Sequence, residues 1–412
     1  MSIEVNEEVL LRDLDASELQ FAAAGYCVGY SVRVHGELDL DVLTAAFDKL
    51  RVTDPILSCR IVARPLGGAA FAPSDAAPYI CVREREYSVT SHTGLADRIA
   101  GVEVHYEDTN TAWVTLLIHH AAADAGHALW LLAELWRYYT DANAVAAQRK
   151  SYPESVESVL RRYDVHVATS GRPSTPTTPD GAADTVPATI GSIAPVRLTP
   201  DQTAALIELG HRVGTTVNGL VSAALLCAVA DNDGLELDAV RYSFPVDLRS
   251  RLDPAVSRAE ATNMLGMALF TPPPGSSDLV RLARRVTDKL AGDLSDGSLI
   301  RYYLNPPDRL ATRQAGYSYR PGTVQATNWG VIPALSTPDT LTIEDFQPRP
   351  QSTDPVGTAV LMPIAARYTL FIYTFQARLT IAGLAPTVAA ASELAARLRF
   401  QLDRLLGADL RP

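Results

Sequence analysis

AWVTLLIHHAAADAGHALWLLAELWRYY, residues 112–139, changes character at its centre. Ala112 to Ile118 is a continuous apolar run of strand length, whereas from Gly126 onward the apolar residues recur at helical spacing. The polar cluster from His119 to His127 therefore lies in a strand-to-helix connection, where side chains escape the core and reach substrates. A histidine at the end of a buried strand is held in one orientation while facing a cleft, and imidazole titrates near neutrality. Both properties are what a general base needs.

Working outward, Tyr26–Val34 alternates and is rich in β-formers, His35-Gly36 reads as a turn, and the stretch from Leu38 to Leu50 has the 3.6 period of an amphipathic helix. Pro55–Val62 reads as a returning strand. Residues 168–195 are rich in Pro, Gly, Ser and Thr without apolar periodicity, the composition of a linker between a domain at 1–167 and another at 196–412. Beyond it, helices are expected at Pro200–Gly210, Val217–Ala230, Asp278–Leu294 and Thr387–Leu406. Strands are expected at Val240–Pro245, Met264–Phe270, Thr358–Pro363, Thr369–Phe375 and Leu379–Ala382. Strands alternate with helices in both halves, which is the pattern of an α/β protein.

The composition of the 412 residues, 47% hydrophobic and 20% charged, excludes disordered and collagen-like classes. A net charge of −11 repels phosphate backbones and anionic headgroups, so no nucleic-acid partner is expected. The most apolar stretch, Val217–Ala230, is shorter than the ~20 residues a membrane helix requires and reads as a buried helix, so no transmembrane segment is expected. Cys27, Cys59, Cys81 and Cys227 lack C-x-x-C spacing and sit in apolar stretches, as buried thiols of a reducing cytosol would. The acidic N-terminus lacks the features of a secretion signal, and a cytoplasmic location is expected.

The residues alone leave several readings of the cluster open. The histidines can cap a strand while Asp124 caps the following helix. His120, Asp124 and His127 would share a face if the segment were helical throughout, as a metal site requires, although no fourth ligand is nearby and none is assigned. The spacing His119-x-x-x-x-Asp124 also fits the glycerolipid acyltransferase motif, but that family's Pro-Glu-Gly block is absent.

His119-His120-Ala121-Ala122-Ala123-Asp124 resembles the H-H-x-x-x-D motif of the chloramphenicol acetyltransferase and condensation-domain superfamily. Gly29–Val62 is similar to the superfamily's opening strand, helix and strand, and Pro245-Val246-Asp247-Leu248-Arg249 to its second-domain block. With Glu260–Phe270 (EATNMLGMALF), the similarity is greatest to polyketide-associated acyltransferases of the phthiocerol dimycocerosyl transferase type. Asn328-Trp329-Gly330 resembles a family strand beside the cleft. The family pattern places Gly directly after Asp, whereas here Ala125 precedes Gly126, so the turn is expected to differ slightly.

The resemblance implies two acetyltransferase-like subdomains, each a mixed sheet flanked by helices, with the active site in a channel between them. It implies an O-acyltransferase without a permanently bound cofactor, using acyl-CoA or acyl-phosphopantetheine as donor. His120 would take the acceptor's proton, with no covalent acyl-enzyme, and Asp124 would pair with Arg249 to tie the two halves together beneath the site. His119 would support His120, and Gly126 would let the backbone pass close to the pantetheine. Asn263 and Asn328 would line the cleft. No metal is implied.

The acceptor would be a hydroxyl of a polyketide, lipid or other natural product. The donor would arrive on coenzyme A, or on an acyl carrier protein or polyketide synthase docking at the basic helix face of Arg281, Arg284, Arg285 and Lys289. Amide formation by a stand-alone condensation enzyme is the alternative within catalysis, and an inactive recruitment platform the alternative outside it. With both halves in one chain, a monomer is expected.

Overall fold

The computed structural model describes residues 9–65, 67–83, 93–95, 97–144, 149–163, 191–276, 278–300, 320–353 and 366–407. From the N-terminus these form β1 (Arg12–Asp13), α1 (Ala16–Ala23), β2 (Tyr26–Gly36), α2 (Leu40–Thr53), β3 (Cys59–Ala63), β4 (Ala69–Pro73), β5 (Ile80–Arg83), β6 (Ala100–Tyr106), β7 (Thr111–His119), α3 (Ala125–Thr140) and α4 (Val156–Arg162). They continue with β8 (Gly191–Arg197), α5 (Pro200–Arg212), α6 (Val217–Asp233), β9 (Arg241–Asp247), β10 (Leu265–Phe270), α7 (Leu279–Ser295), β11 (Thr323–Val331), β12 (Leu341–Ser352), β13 (Tyr368–Phe375), β14 (Arg378–Ala385) and α8 (Val388–Gly407).

The chain divides into two compact units. One contains Met1–Val165, Arg249–Met264 and Pro333–Pro363, and the other His166–Leu248, Leu265–Ile332 and Ile364–Pro412. The first boundary falls beside the expected residue 167, but the second unit is not the continuous 196–412 expected. Backbone pairing explains the difference. β12 lies antiparallel along β2 from Gly36↔Leu341 to Tyr26↔Ser352, which no short-range pattern announces. Of the expected linker, residues 168–190 lie outside the described residues, and Gly191–Pro195 open β8, paired with β14.

The first unit holds a five-stranded sheet in the order β12-β2-β7-β6-β5, antiparallel except for the parallel β5–β6 pair, and a small sheet β1-β4-β3. β7 is buried along its whole length because both its edges and both its faces are covered, which is why its sequence is an unbroken apolar run. The second unit is a mixed six-stranded sheet, β10-β9-β11-β13-β14-β8, with β11 parallel to both its neighbours. A mixed sheet with helices in each unit is the architecture expected.

Local signals held where periodicity was strong. α2 starts after Asp39, whose carboxylate accepts from the amides of Asp41 and Val42, and α3 starts after Asp124. α6 is apolar all round and correspondingly buried. Among the described residues no single helix is long and apolar enough to cross a membrane, and α5 and α6, which together would be, meet at 103°.

Three local expectations are corrected. His35-Gly36 does not turn the chain but ends β2. Gly36 has φ +124°, and a Cβ there would lie 2.2 Å from the Thr340 carbonyl oxygen, so glycine permits the close approach of β12. Pro55–Ser58 is a 3₁₀ turn rather than strand, the ring of Pro55 having fixed its φ, and β3 starts only at Cys59. All four cysteines are free, but only Cys27 and Cys59 are buried, Cys81 and Cys227 being half-exposed. The expected strand Thr358–Pro363 lies outside the described residues.

Candidate active site

The site begins where β7 ends. His119 is the last strand residue, paired with Cys27 of β2, and the amide of His120 donates to the Tyr26 carbonyl at 2.8 Å. The chain then turns through three buried alanines to Asp124, the N-cap of α3, whose carboxylate accepts from the His127 amide at 3.0 Å. Because α3 begins at Ala125, His120, Asp124 and His127 do not share a helix face, and the geometry that a metal reading required is not formed. Among the described residues, no group of three or more His, Cys, Asp or Glu side chains is placed to hold a metal.

The segment Arg249–Met264 completes the cluster, within the same compact unit. Arg249 Nη1 donates to Asp124 Oδ2 at 2.7 Å, its Nη2 donates to the Ala261 carbonyl at 3.2 Å, and the Met264 amide donates to the same carboxylate oxygen at 2.9 Å. The Asp124 amide donates to the Thr262 carbonyl at 2.8 Å. The pairing of Asp124 with Arg249 is as the sequence implied. Its position is corrected: both partners belong to one unit, so the pair does not tie two subdomains together. Burial would raise the Asp124 pKa, but the charge of Arg249 and the hydrogen bonds outweigh it, and the carboxylate is held below its usual range. An ion pair so enclosed orients the turn and cannot exchange protons with a substrate.

Asn263 decides which nitrogen of His120 carries the proton. Its side chain is buried, and its Nδ2 donates to the carbonyls of His120 at 2.8 Å and Ala121 at 3.4 Å. That fixes the amide with Oδ1 toward Nδ1 of His120, 3.1 Å away. An amide oxygen only accepts, so Nδ1 is the protonated nitrogen and Nε2 keeps its lone pair. Burial holds the His120 pKa below its ordinary value, against the opposing effect of Asp124 and the Asn263 hydrogen bond. The imidazole is therefore neutral at pH 7, with Nε2 ready to accept a proton.

A profile of the family described as "Phthiocerol/phthiodiolone dimycocerosyl transferase C-terminus" matches residues 188–384. The phthiocerol/phthiodiolone dimycocerosyl transferase of Mycobacterium leprae is 27% identical over 372 residues, covering 82% of this chain and 86% of its own. That of Mycobacterium tuberculosis is 28% identical over 371 residues, covering 82% and 85%. Among solved structures, polyketide synthase associated protein 5 of Mycobacterium tuberculosis superposes with a TM-score of 0.77 at 23% identity, over 97% of this chain and 99% of the other. The first condensation domain of the calcium-dependent antibiotic synthetase superposes with a TM-score of 0.63 at 15% identity, over 97% of each. With relatives named as transferases along most of its length, the chain is an acyltransferase, and its fold is that of these solved structures.

The other sequence-predicted residues of the acyltransferase fall in different places. His119 is buried, and its Nδ1 accepts from the Ala121 amide at 3.1 Å; burial, reinforced by His120, pushes its pKa down to about 3. It is a fixed neutral group that shapes the turn. Gly126 sits half-buried in the first turn of α3. Asn328 belongs to the other unit, exposed on β11 at a bulge, where its Nδ2 donates to Asn218 at 3.1 Å and its Oδ1 accepts from Gly330 at 2.8 Å. Arg281, Arg284, Arg285 and Lys289 are all exposed on α7, but Arg284 donates to the Val213 carbonyl at 2.6 Å and Lys289 pairs with Asp293.

Asn263 was expected only as a cleft-lining residue, and its grip on His120 had no local signal. Two aromatic neighbours of His120, Phe21 and Tyr26, were not expected at all. Tyr26 had a local signal, since it opens β2, the strand that the alternation from Tyr26 to Val34 announces and that pairs with the motif strand β7.

Proposed function

We propose that this acyltransferase moves an acyl group from a thioester, on coenzyme A or on carrier-bound phosphopantetheine, to a hydroxyl of a lipid or polyketide-like acceptor. The observation that carries the reading is the tautomer of His120 imposed by Asn263, which leaves Nε2 as the free base. Nε2 takes the acceptor's O–H proton as the oxygen attacks the thioester carbonyl. The tetrahedral intermediate collapses with cleavage of the C–S bond, and the departing thiolate takes the proton back from Nε2. One group thus serves both halves of the exchange, and neither a covalent acyl-enzyme nor a resident cofactor is required. The hydroxyl acceptor is favoured by the relatives' names, which describe transfer to phthiocerol and phthiodiolone. In this reading Gly126 keeps the backbone small where the donor's pantetheine passes, and the exposed arginines of α7 receive an acidic carrier protein.

Thiol release from acyl-CoA donors of increasing length, and from carrier-bound donors, tests the reading, with alcohol and amine acceptors offered in parallel to wild type and His120→Ala. Acceptor-dependent release with alcohols that vanishes in the variant is expected. Release only with amines would replace ester by amide formation, and undiminished release from His120→Ala would overturn the base assignment.

A further inference from the structure

The short helix α1 reaches His120 from outside the motif and the Arg249–Met264 segment. Its Phe21 ring stacks on the imidazole, with centroids 4.0 Å apart and planes inclined by 12°. Tyr26 adds a second, more distant stack at 5.5 Å and 25°. These residues, His120 and Asn263 all belong to the same compact unit.

The helix is tightly anchored for an element of eight residues. The Ser17 amide and hydroxyl donate to the two carboxylate oxygens of Glu157 on α4 at 2.8 and 2.7 Å. Glu18, fully buried, accepts twice from Arg12 at 2.7 Å and from the Thr262 hydroxyl at 2.6 Å. Thr262 directly precedes Asn263. The same helix therefore covers the face of the imidazole and holds the segment that binds its edge.

A single hydrogen bond at Nδ1 fixes one point of the ring but leaves the plane free to swing about that bond. A flat surface in van der Waals contact removes this remaining freedom, since aromatic rings resist leaving a stacked arrangement. We propose that Phe21 is a positioning residue for the reaction: stacked on His120, it fixes the plane of the imidazole and so the direction in which Nε2 meets the acceptor, while Asn263 holds Nδ1. The proposal rests on the reading of His120 as the base. A second consequence is that Phe21 keeps water from one face of the ring and contributes to the burial that lowers its pKa. The titratable groups around the ring are His119 and Asp124 from its own turn, Asp124 being neutralised by Arg249, and Tyr26 from β2.

The test compares Phe21→Ala, Phe21→Leu and Phe21→Tyr with wild type, in kcat, in KM for the acyl donor, in the pH dependence of kcat/KM, and in the titration of the His120 ring followed by NMR without substrate. Phe21→Ala is expected to lower kcat by about 10- to 100-fold with KM little changed, the size typical of a misaligned catalytic group. It should also move the His120 titration up toward the ordinary value of 6.5. Phe21→Tyr restores both, and Phe21→Leu, which fills the space without a flat face, restores neither fully. Wild-type kcat in Phe21→Ala, or full activity in Phe21→Leu, overturns the proposal. Should Phe21→Ala not fold, the Leu and Tyr variants carry the same comparison. Activity surviving in His120→Ala would mark failure of the base reading, whereas an unchanged His120 titration in the Phe21 variants would mark failure of the stacking role itself.

Discussion

Asn263 Oδ1 lies 3.1 Å from Nδ1 of His120, and the same side chain donates from Nδ2 to the His120 carbonyl at 2.8 Å. A buried amide thus holds both the ring and the backbone of one residue, and its own orientation is set by the carbonyls it must satisfy. The tautomer of the base follows from that one contact.

Asn263→Ala should therefore lower kcat by about 10²-fold or more, the low end of what a positioned base contributes. The ring would then sample both tautomers, visible in the ¹⁵N shifts of His120. A wild-type rate with a mixed tautomer population would show that the grip is dispensable.

Arg249→Met leaves the Asp124 carboxylate buried without its counter-charge. A loss of about 3 to 5 kcal/mol in urea unfolding is expected, and pairing the change with Asp124→Asn should recover much of it. No recovery in the double variant would mean the hydrogen bonds of Arg249 to its own segment, rather than the ion pair, provide the stability.

His119 and Asp124 predict separate acid windows. The native pKa of His119, about 3, lies below the ordinary 6.5, so the unfolded chain binds a proton that the native state refuses. Stability should fall by about 1.4 kcal/mol per pH unit as pH drops below 6.5, until the native histidine is itself protonated. Asp124 has the same sign in a lower window. Its contribution is complete above the usual aspartate value of 3.8 and is lost as pH falls through its depressed native value. Urea midpoints from pH 7 to 3 for wild type and His119→Gln check this, the variant showing a shallower slope between 6.5 and 4 because only the His120 contribution remains there.

On α7, Arg281 and Arg285 are exposed, whereas Arg284 is bound to the Val213 carbonyl. Reversing Arg281 and Arg285 to Glu should slow transfer from carrier-bound donors and leave transfer from coenzyme A unchanged, with the difference shrinking at high salt. Equal slowing with both donors would remove the docking role.

What was legible in the sequence was local. β7 and α3 follow from a change of apolar period within thirty residues, and Asp124 at the N-cap follows from the preference of a short carboxylate for free helix amides. The pairing of Asp124 with Arg249 came from resemblance across 125 positions rather than from pattern. The division of the chain escaped because β12, which completes the first sheet beside β2, carries no signal of where it pairs.

The sequence by itself determined that a histidine pair ends a buried strand before a capped helix, because strand, turn and cap are encoded by neighbours. Only the tertiary structure decided which nitrogen of His120 is free and which ring lies on its face. Asn263 is 143 residues away, and Phe21 sits on a helix whose sequence shows only weak periodicity. A hydrogen bond or a stack between such distant residues is set by packing, after the backbone pairings of β2, β7 and β12 and the ion pairs around Glu18 and Asp124 have brought them together.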